Sequence, residues 1–303
     1  MSFSFGDATT PAPSQPNSSA IALSDVTVHY PGATSPAVDS FSLEIAPGTT
    51  TVLLGSSGCG KTTLLRTMNR MVEPTSGTVR VRGEDVRQAN AVQLRRSIGY
   101  VLQEAGLLPH RTVAQNIATV LRLNGAGKKE AAAAAAEAAD MVGLDAELLD
   151  RHPAQLSGGQ QQRAGVARAL AADPDILLMD EPFGAVDPIV RRGLQDLMLD
   201  LQQRLRKTVV LVTHDVSEAM TLADHIVLLR QGGKIAQQGT PEQLATHPAD
   251  EFVRDFLDAS ARGLRVERRG EKELVVDSRG SIVGVLDQAS PTHHASATSQ
   301  VER

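Results

Sequence analysis

The sequence predicts an α/β fold, a phosphate-binding-loop core of parallel strands with an antiparallel β subdomain and an inserted helical subdomain. Three observations carry this. The octet GSSGCGKT, Gly55 to Thr62, stands between an apolar run TVLL (51–54) and a segment TTLLRTMNRM (62–71) of helical spacing. The runs ILLMD (176–180), VVLVT (209–213) and HIVLLR (225–230) are separated by helical stretches, the alternation of a parallel sheet buried on both faces. Around the octet, IALSDVTVHY (21–30), FSLEIAPG (41–48) and TVRVRG (78–83) read as strands of an antiparallel sheet.

Along the chain, residues 1–20 are rich in Ser, Thr, Pro and Asn and read as a disordered leader. The main domain spans 21–260. Within it, about 104–160 forms the helical subdomain, with VAQNIATVLRL (113–123) and KKEAAAAAAEAADMVGL (128–144) broken at Gly125 and Gly127. The alanine run Ala131 to Ala136 reads as strong helix propensity on an exposed surface. A C-terminal tail, 261–303, contains ELVVDSRGSIVGVLD (273–287), read as a hairpin turning at Arg279-Gly280.

Glycines let the octet's backbone N–H groups converge on phosphate oxygens at a positive helix end. Gly55, Ser56, Ser57, Gly58, Cys59, Gly60, Lys61 and Thr62, with Thr63 beside them, therefore form the expected nucleotide cradle. Lys61 would reach the β and γ phosphates, and the Thr62 hydroxyl suits Mg2+, a hard cation. A nucleoside triphosphate is the expected ligand.

Composition narrows the field. The 303 residues carry 30 Lys and Arg against 35 Asp and Glu, a net charge of -5. That balance gives no basic surface for counterion-driven binding, so nucleic acid is not the expected partner. One cysteine, inside the octet, excludes an internal disulfide framework and suits a reducing compartment. No apolar window reaches the length of a membrane span, and no secretory start is present.

Six further features bear on chemistry, several with an ordinary structural alternative. Gln103 in YVLQEAGLLPH ends an apolar strand; its amide oxygen can ligate Mg2+, or it is a surface glutamine. LSGGQ, Leu156 to Gln160, opens a helical run, with Ser157 as N-cap and Gly158 and Gly159 exposing N–H groups for an anion, or it is a plain helix cap. ILLMDEP delivers Asp180 and Glu181 to the carboxyl end of a strand, where ligands of open α/β sheets bind. Asp187 before Pro188 can be a helix N-cap. His214 in VLVTHD ends the next strand. Tyr30, one of two tyrosines, precedes a polar loop and can stack on a base or pack in the turn.

In this order the motifs resemble those of ATP-binding subunits of ABC transporters, over about Ile21 to Ala259. The resemblance implies a P-loop NTPase (RecA-like) core of the ABC ATPase type, using ATP and Mg2+. It implies that Thr62, Gln103 and Asp180 serve the metal, Asp180 through water. Glu181 would polarise the attacking water, with His214 as switch histidine and Gln103 touching the water. Tyr30 would stack on adenine. Ser157, Gly158, Gly159 and Gln160 would close over the γ-phosphate held by a second copy, and Asp187 would run across that interface. The implied partners are therefore a second copy, transmembrane permease subunits and an extracytoplasmic substrate-binding protein, with a peripheral place on the cytoplasmic side of the cell membrane.

Four stretches, MNRMVEPTSG (68–77), QEAGLLPHRTVAQNIA (103–118), FGAVDPIVRRGLQD (183–196) and THPADEFVRDFLDA (246–259), look most like subunits of glycine betaine, carnitine and choline importers. The alternatives are an importer ATPase for another small solute, such as an amino acid, or a soluble ABC ATPase without a transport role. LVVDSRGSIVGVLD resembles one piece of a CBS domain, and the tail is too short for a pair of them. No NKxD guanine-reading sequence is present, which argues against a GTPase.

Overall fold

The computed structural model describes residues 19–184, 186–260, 265–269, 272–276 and 282–286. The chain divides into two units, 1–253 and 254–303. The expected leader lies almost wholly, and the Arg279-Gly280 turn wholly, outside the described residues.

Two sheets build the first unit. Strands β1 (Ile21–Val28), β2 (Val38–Ile45), β4 (Ser76–Val81) and β5 (Glu84–Asp85) pair antiparallel in the order β2-β1-β4-β5. Strands β3 (Thr50–Gly55), β6 (Ile98–Val101), β7 (Ile176–Asp180), β8 (Thr208–Thr213), β9 (His225–Arg230) and β10 (Lys234–Gly239) form the second, in the order β10-β9-β3-β8-β7-β6. All neighbours in it are parallel except β9 and β10. Every residue of β3, β7 and β8 is buried, which is why their sequences are continuous apolar runs rather than alternating ones. Register places Asp180 opposite Val212, and Leu54 opposite Thr213, so three strand ends emerge side by side.

Helix α1 (Lys61–Met68) follows the phosphate loop and joins the sheets. Its Leu64, Leu65 and Met68 are fully buried in one cluster with Leu23 and Ile45 of the antiparallel sheet and Leu53 and Leu178 of the parallel one. The same hydrophobic burial that stabilises the unit thus anchors the helix that follows the glycine-rich octet. Helix α2 (Ala91–Arg96), capped by the Asn90 side chain, leads into β6.

Between β6 and β7 lie α3 (Val113–Ile117), α4 (Thr119–Leu123), α5 (Lys128–Met141) and α6 (Gly158–Leu170). The single helix read over 113–123 is divided at Ala118. Thr112 starts α3 with a reciprocal capping box to Gln115. The reading of the alanine run as exposed needs correction. Ala131 and Ala135 are buried, continuing to Ala138, Ala139 and Val142, whereas Ala132, Ala133 and Ala136 face out. One stripe of α5 packs on neighbouring helices, and alanine there permits close approach. After β7 come α7 (Pro188–Leu205), α8 (Val216–Leu222) and α9 (Pro241–Thr246). Helix α10 (Glu251–Ser260) runs across the division between units. Among the described residues no helix is long and apolar enough to cross a membrane.

The second unit holds an antiparallel sheet, β11-β12-β13, of β11 (Arg265–Arg269), β12 (Lys272–Val276) and β13 (Ile282–Leu286). Strand β11, RVERR, has a single apolar residue, so hydropathy alone did not reveal it.

The two faces of α5 make a direct test. Ala135→Leu forces a larger side chain into a filled space and is expected to destabilise by about 1–3 kcal/mol, while Ala133→Leu on the open face stays within about 0.5 kcal/mol. Urea midpoints read both; equal effects would contradict the packed stripe.

Candidate nucleotide-binding site

The phosphate loop leaves β3 at Gly55 and enters α1 at Lys61. Gly60 has φ of 110°, and a Cβ there would come within 2.6 Å of the Ala37 carbonyl oxygen, so only glycine fits. Lys61 is buried, and its Nζ donates to the carbonyls of Gly55 (2.7 Å) and Ser56 (2.8 Å), tying the loop into a closed ring. Ser56, Ser57 and Gly58 are exposed at its crest. The Cys59 side chain points into the core, where burial pushes its thiol up despite the Lys61 charge, which leaves only its backbone on the loop side.

At the end of β7, the Thr62 hydroxyl donates to Asp180 Oδ1 at 2.7 Å. Two residues the sequence reading did not single out hold the other oxygen. The Tyr100 hydroxyl donates to Asp180 Oδ2 at 3.4 Å, and Arg66 stands 3.6 Å from it. Burial first, then the Asp180 charge, push the Tyr100 phenol up, which keeps it a donor.

Glu181 follows with φ of 45°, the left-handed region, at a cost of about 1–3 kcal/mol for a non-glycine residue. Its N–H donates to Val212 O at 3.0 Å and its carbonyl accepts from Gly184 N at 3.1 Å, and these bonds hold the turn. The turn aims its carboxylate at the end of β8, where His214 Nδ1 lies 3.2 Å from Glu181 Oε2. Nδ1 is thereby assigned a proton that it donates to this carboxylate. The Gln103 amide lies against Gly184, where an added Cβ would meet its Nε2 at 3.3 Å. Thr62, Asp180, Glu181, His214 and Gln103 thus gather at one sheet edge.

Behind His214, the Thr213 hydroxyl donates to Glu218 Oε2 at 2.5 Å and accepts from Asp215 N. Asp215 caps α8 through Ser217 N and Glu218 N. Tyr30, 41% exposed, has its hydroxyl 3.2 Å from Thr63 Oγ1 beside the phosphate loop.

Ser157, Gly158, Gly159 and Gln160 stand apart. Ser157 and Gln160 form a reciprocal capping box at the start of α6, and among the described residues no hydrogen bond or ion pair joins these four to the phosphate loop. A Cβ on Gly159 would lie 2.3 Å from Val190 Cγ1, so α6 packs closely on α7. Asp187 caps α7 by accepting from Ile189 N and Val190 N, with Pro188 first in the helix. Ala185 lies outside the described residues. Helix α6 is fastened to the segment around Gln103, before it by Gln162, which donates to Leu102 O, and after it by Arg168, which donates to Ala105 O and Gly106 O.

The donor set fits Mg2+. A hydroxyl and a carboxylate oxygen adjoin, both hard ligands, while no group of three or more His, Cys, Asp or Glu among the described residues is arranged to hold a metal. A cation here would take its remaining oxygens from phosphate and water, as Mg2+ prefers.

A profile of the ABC transporter family matches residues 38–184. The glycine betaine uptake system ATP-binding protein YehX of Escherichia coli is 49% identical over 230 residues, 76% of this chain and 74% of that protein. The chain belongs to the ABC transporter family.

Other ABC relatives are longer. The osmoprotectant import ATP-binding protein OsmV of Salmonella typhimurium is 51% identical over 81% of this chain, and the matched segment spans 62% of its length. For the glycine betaine/carnitine/choline transport ATP-binding protein OpuCA of Bacillus subtilis, at 48% identity, the match covers 78% of this chain and 61% of that protein. Among solved structures, a dimeric post-hydrolysis state of the ATP-binding cassette MJ0796 bound to ADP and Pi is 31% identical, with a TM-score of 0.67, covering 73% of this chain and 98% of that one. The ABC assignment and the fold class read from the motifs are both borne out.

Buried Glu218 yields a prediction for this ABC chain. Burial raises its carboxyl above the usual range; the Thr213 hydrogen bond opposes this, Asp215 adds to it, and the Arg191 and His214 charges oppose it. Between the ordinary carboxylate pKa and the raised one, the folded chain keeps a proton the unfolded chain has lost. Stability from this group is therefore full below the ordinary value and is lost as pH rises through the raised one. Glu218→Gln keeps an acceptor for Thr213 and cannot ionise, so wild type should lose more stability than the variant over that rise. Denaturant midpoints across pH that run parallel for the two would refute it.

Proposed function

We propose that this chain hydrolyses ATP as one of two copies closing on nucleotides at their shared interface, and that it thereby powers a membrane importer. The carrying observation is the meeting of the His214–Glu181 pair and the Thr62–Asp180 pair at neighbouring strand ends beside the phosphate loop. Phosphoryl transfer needs mainly positioning and charge stabilisation, and this edge supplies both. Bound Mg2+, held by Thr62, Asp180 and Gln103, supplies charge neutralisation on the phosphates. Lys61 turns from its carbonyl partners to the phosphate oxygens. Glu181 accepts hydrogen bonds from the attacking water and orients it, and His214 holds Glu181 through Nδ1–H and, when Nε2 also carries a proton, donates from it to the γ-phosphate. Tyr30 takes the adenine against its ring.

The separation of Ser157–Gln160 from the chain's own loop supports a second copy. An anion-binding helix start with no nucleotide of its own can serve the partner's γ-phosphate, with Asp187 lying along the same interface. The MJ0796 cassette is described as dimeric, which is consistent. Helices α3–α6, fastened to the segment around Gln103 by Gln162 and Arg168, are suited to carry nucleotide-dependent movement to permease subunits. On this reading the chain sits peripherally on the cytoplasmic side of the membrane and works with an extracytoplasmic binding protein.

For cargo we propose a quaternary-amine osmoprotectant, such as glycine betaine, choline or carnitine. The support is the kinship with OsmV, OpuCA and YehX together with the choline transport ATP-binding protein OpuBA of Bacillus subtilis, 43% identical over 92% of this chain.

Two outcomes are expected. Glu181→Gln should lower ATP turnover at least roughly 100-fold while ATP still binds and dimers accumulate in size-exclusion chromatography; turnover at the wild-type rate would remove Glu181 from the reaction. In cells lacking this chain and other osmoprotectant importers, uptake of labelled glycine betaine or choline at high osmolarity should return with wild type and not with Glu181→Gln. Uptake that is indifferent to the chain would overturn the cargo and leave the hydrolytic site standing.

A further inference from the structure

The hydrolytic reading leaves one charged group unused. Arg191, on the first turn of α7, points across to the segment carrying His214. Its guanidinium stands 3.5 Å (NH1) from Asp215 Oδ2 and 4.0 Å (Nε) from Glu218 Oε1. Glu218 is 4% exposed and is held from its other oxygen by the Thr213 hydroxyl, which also accepts from Asp215 N. Thr213 and Asp215 are the residues on either side of His214, so both neighbours of that histidine sit in the network Arg191 closes. On the α7 side, Arg191 N donates to the Asp187 carbonyl, one helical turn back.

We propose that Arg191 is a positioning residue for hydrolysis: it ties the start of α7 to the His214 segment and sets where that histidine stands against Glu181. The inference rests on the reading of His214 and Glu181 given above. An ordinary structural ion pair would be closed, with charge-assisted bonds near 2.7–2.9 Å. Here both approaches are longer, and Arg191 Nε is buried without a hydrogen-bond partner, the one such side-chain atom among the described residues. A buried donor left unsatisfied is unfavourable, so the arrangement gains when α7 and the His214 segment draw together. Asp187, in the segment immediately before α7, is the residue assigned to the interface between copies. Closure of a second copy on that segment therefore shifts α7, tightens Arg191 on Asp215 and Glu218, and seats His214 for the reaction. An open contact of this kind is a two-position element that nucleotide and partner can both bias.

The test uses the purified full chain, with ATP turnover measured for Arg191→Gln, Arg191→Lys, Asp215→Asn, His214→Ala and the Arg191→Gln/Asp215→Asn double variant. Asparagine retains a cap for α8 while removing the charge facing Arg191. Arg191→Gln is expected to lower kcat roughly 10- to 100-fold with KM within about twofold, since misplacing a catalytic group costs turnover more than binding. Arg191→Lys should recover part of that loss, and the double variant should be no slower than the slower single, as for two members of one unit. Wild-type kcat in Arg191→Gln, a rise in KM alone, or losses that multiply in the double variant would each overturn the proposal. If Arg191→Gln fails to fold, Arg191→Lys decides: an intermediate kcat supports it and an unchanged one does not. Full activity in His214→Ala would instead sink the underlying site reading, whereas loss in His214→Ala with none in Arg191→Gln sinks only the role of Arg191.

Discussion

The side-by-side parallel pairing of β3, β8 and β7 is the constraint on which the rest depends. Parallel strands all point their carboxyl ends the same way, so whatever each strand delivers at its last residue meets what its neighbours deliver. Here β3 delivers the phosphate loop, β7 delivers Asp180 and Glu181, and β8 delivers Thr213 and His214. Residues more than a hundred positions apart then come within hydrogen-bond reach, Thr62 and Asp180 among them. Moving β8 elsewhere in the order would separate His214 from Glu181 without altering any motif.

Burial enforces that pairing, and it also sustains the strain at the site. All of β3, β7 and β8 is buried, so their backbone groups have no water to turn to and slippage would strand them. Against that rigid frame, Glu181 is held with φ of 45° by the Val212 carbonyl on one side and Gly184 on the other. Relaxing it would release the carboxylate from His214. Unfavourable backbone geometry persists where the surroundings over-determine it, and an aimed side chain is what it yields here.

What was legible in the residues follows from the same physics. Strands buried on both faces carry an apolar run that needs no partner to be recognised, so β7 and β9 were readable at their observed bounds. The octet between strand and helix, the cap at Asp187 and the cap at Ser157 are local patterns as well. Alanine in α5 offers no contrast between faces, so its buried stripe is decided by the helices beside it. Tyr100, Arg66, Arg191 and Glu218 were illegible for another reason. Their meaning comes from strand order and helix placement, which put Tyr100 against Asp180, 80 positions away, and no spacing rule announces that.

The position of α6 brings these strands of argument together. Its start carries Ser157–Gln160, its body is hydrogen-bonded to the segment around Gln103, and its first turn packs against Val190 of α7 through Gly159. Gln103 in turn lies over Gly184 beside Glu181. A displacement at the helix start is therefore felt along two routes, through the Gln103 segment and through α7, and both end at the Glu181–His214 pair. On the proposed reading, a binding event at the start of α6 is in this way mechanically continuous with Glu181, the carboxylate proposed to orient the water. On that reading, pieces that are individually rigid are completed by a second copy of the chain.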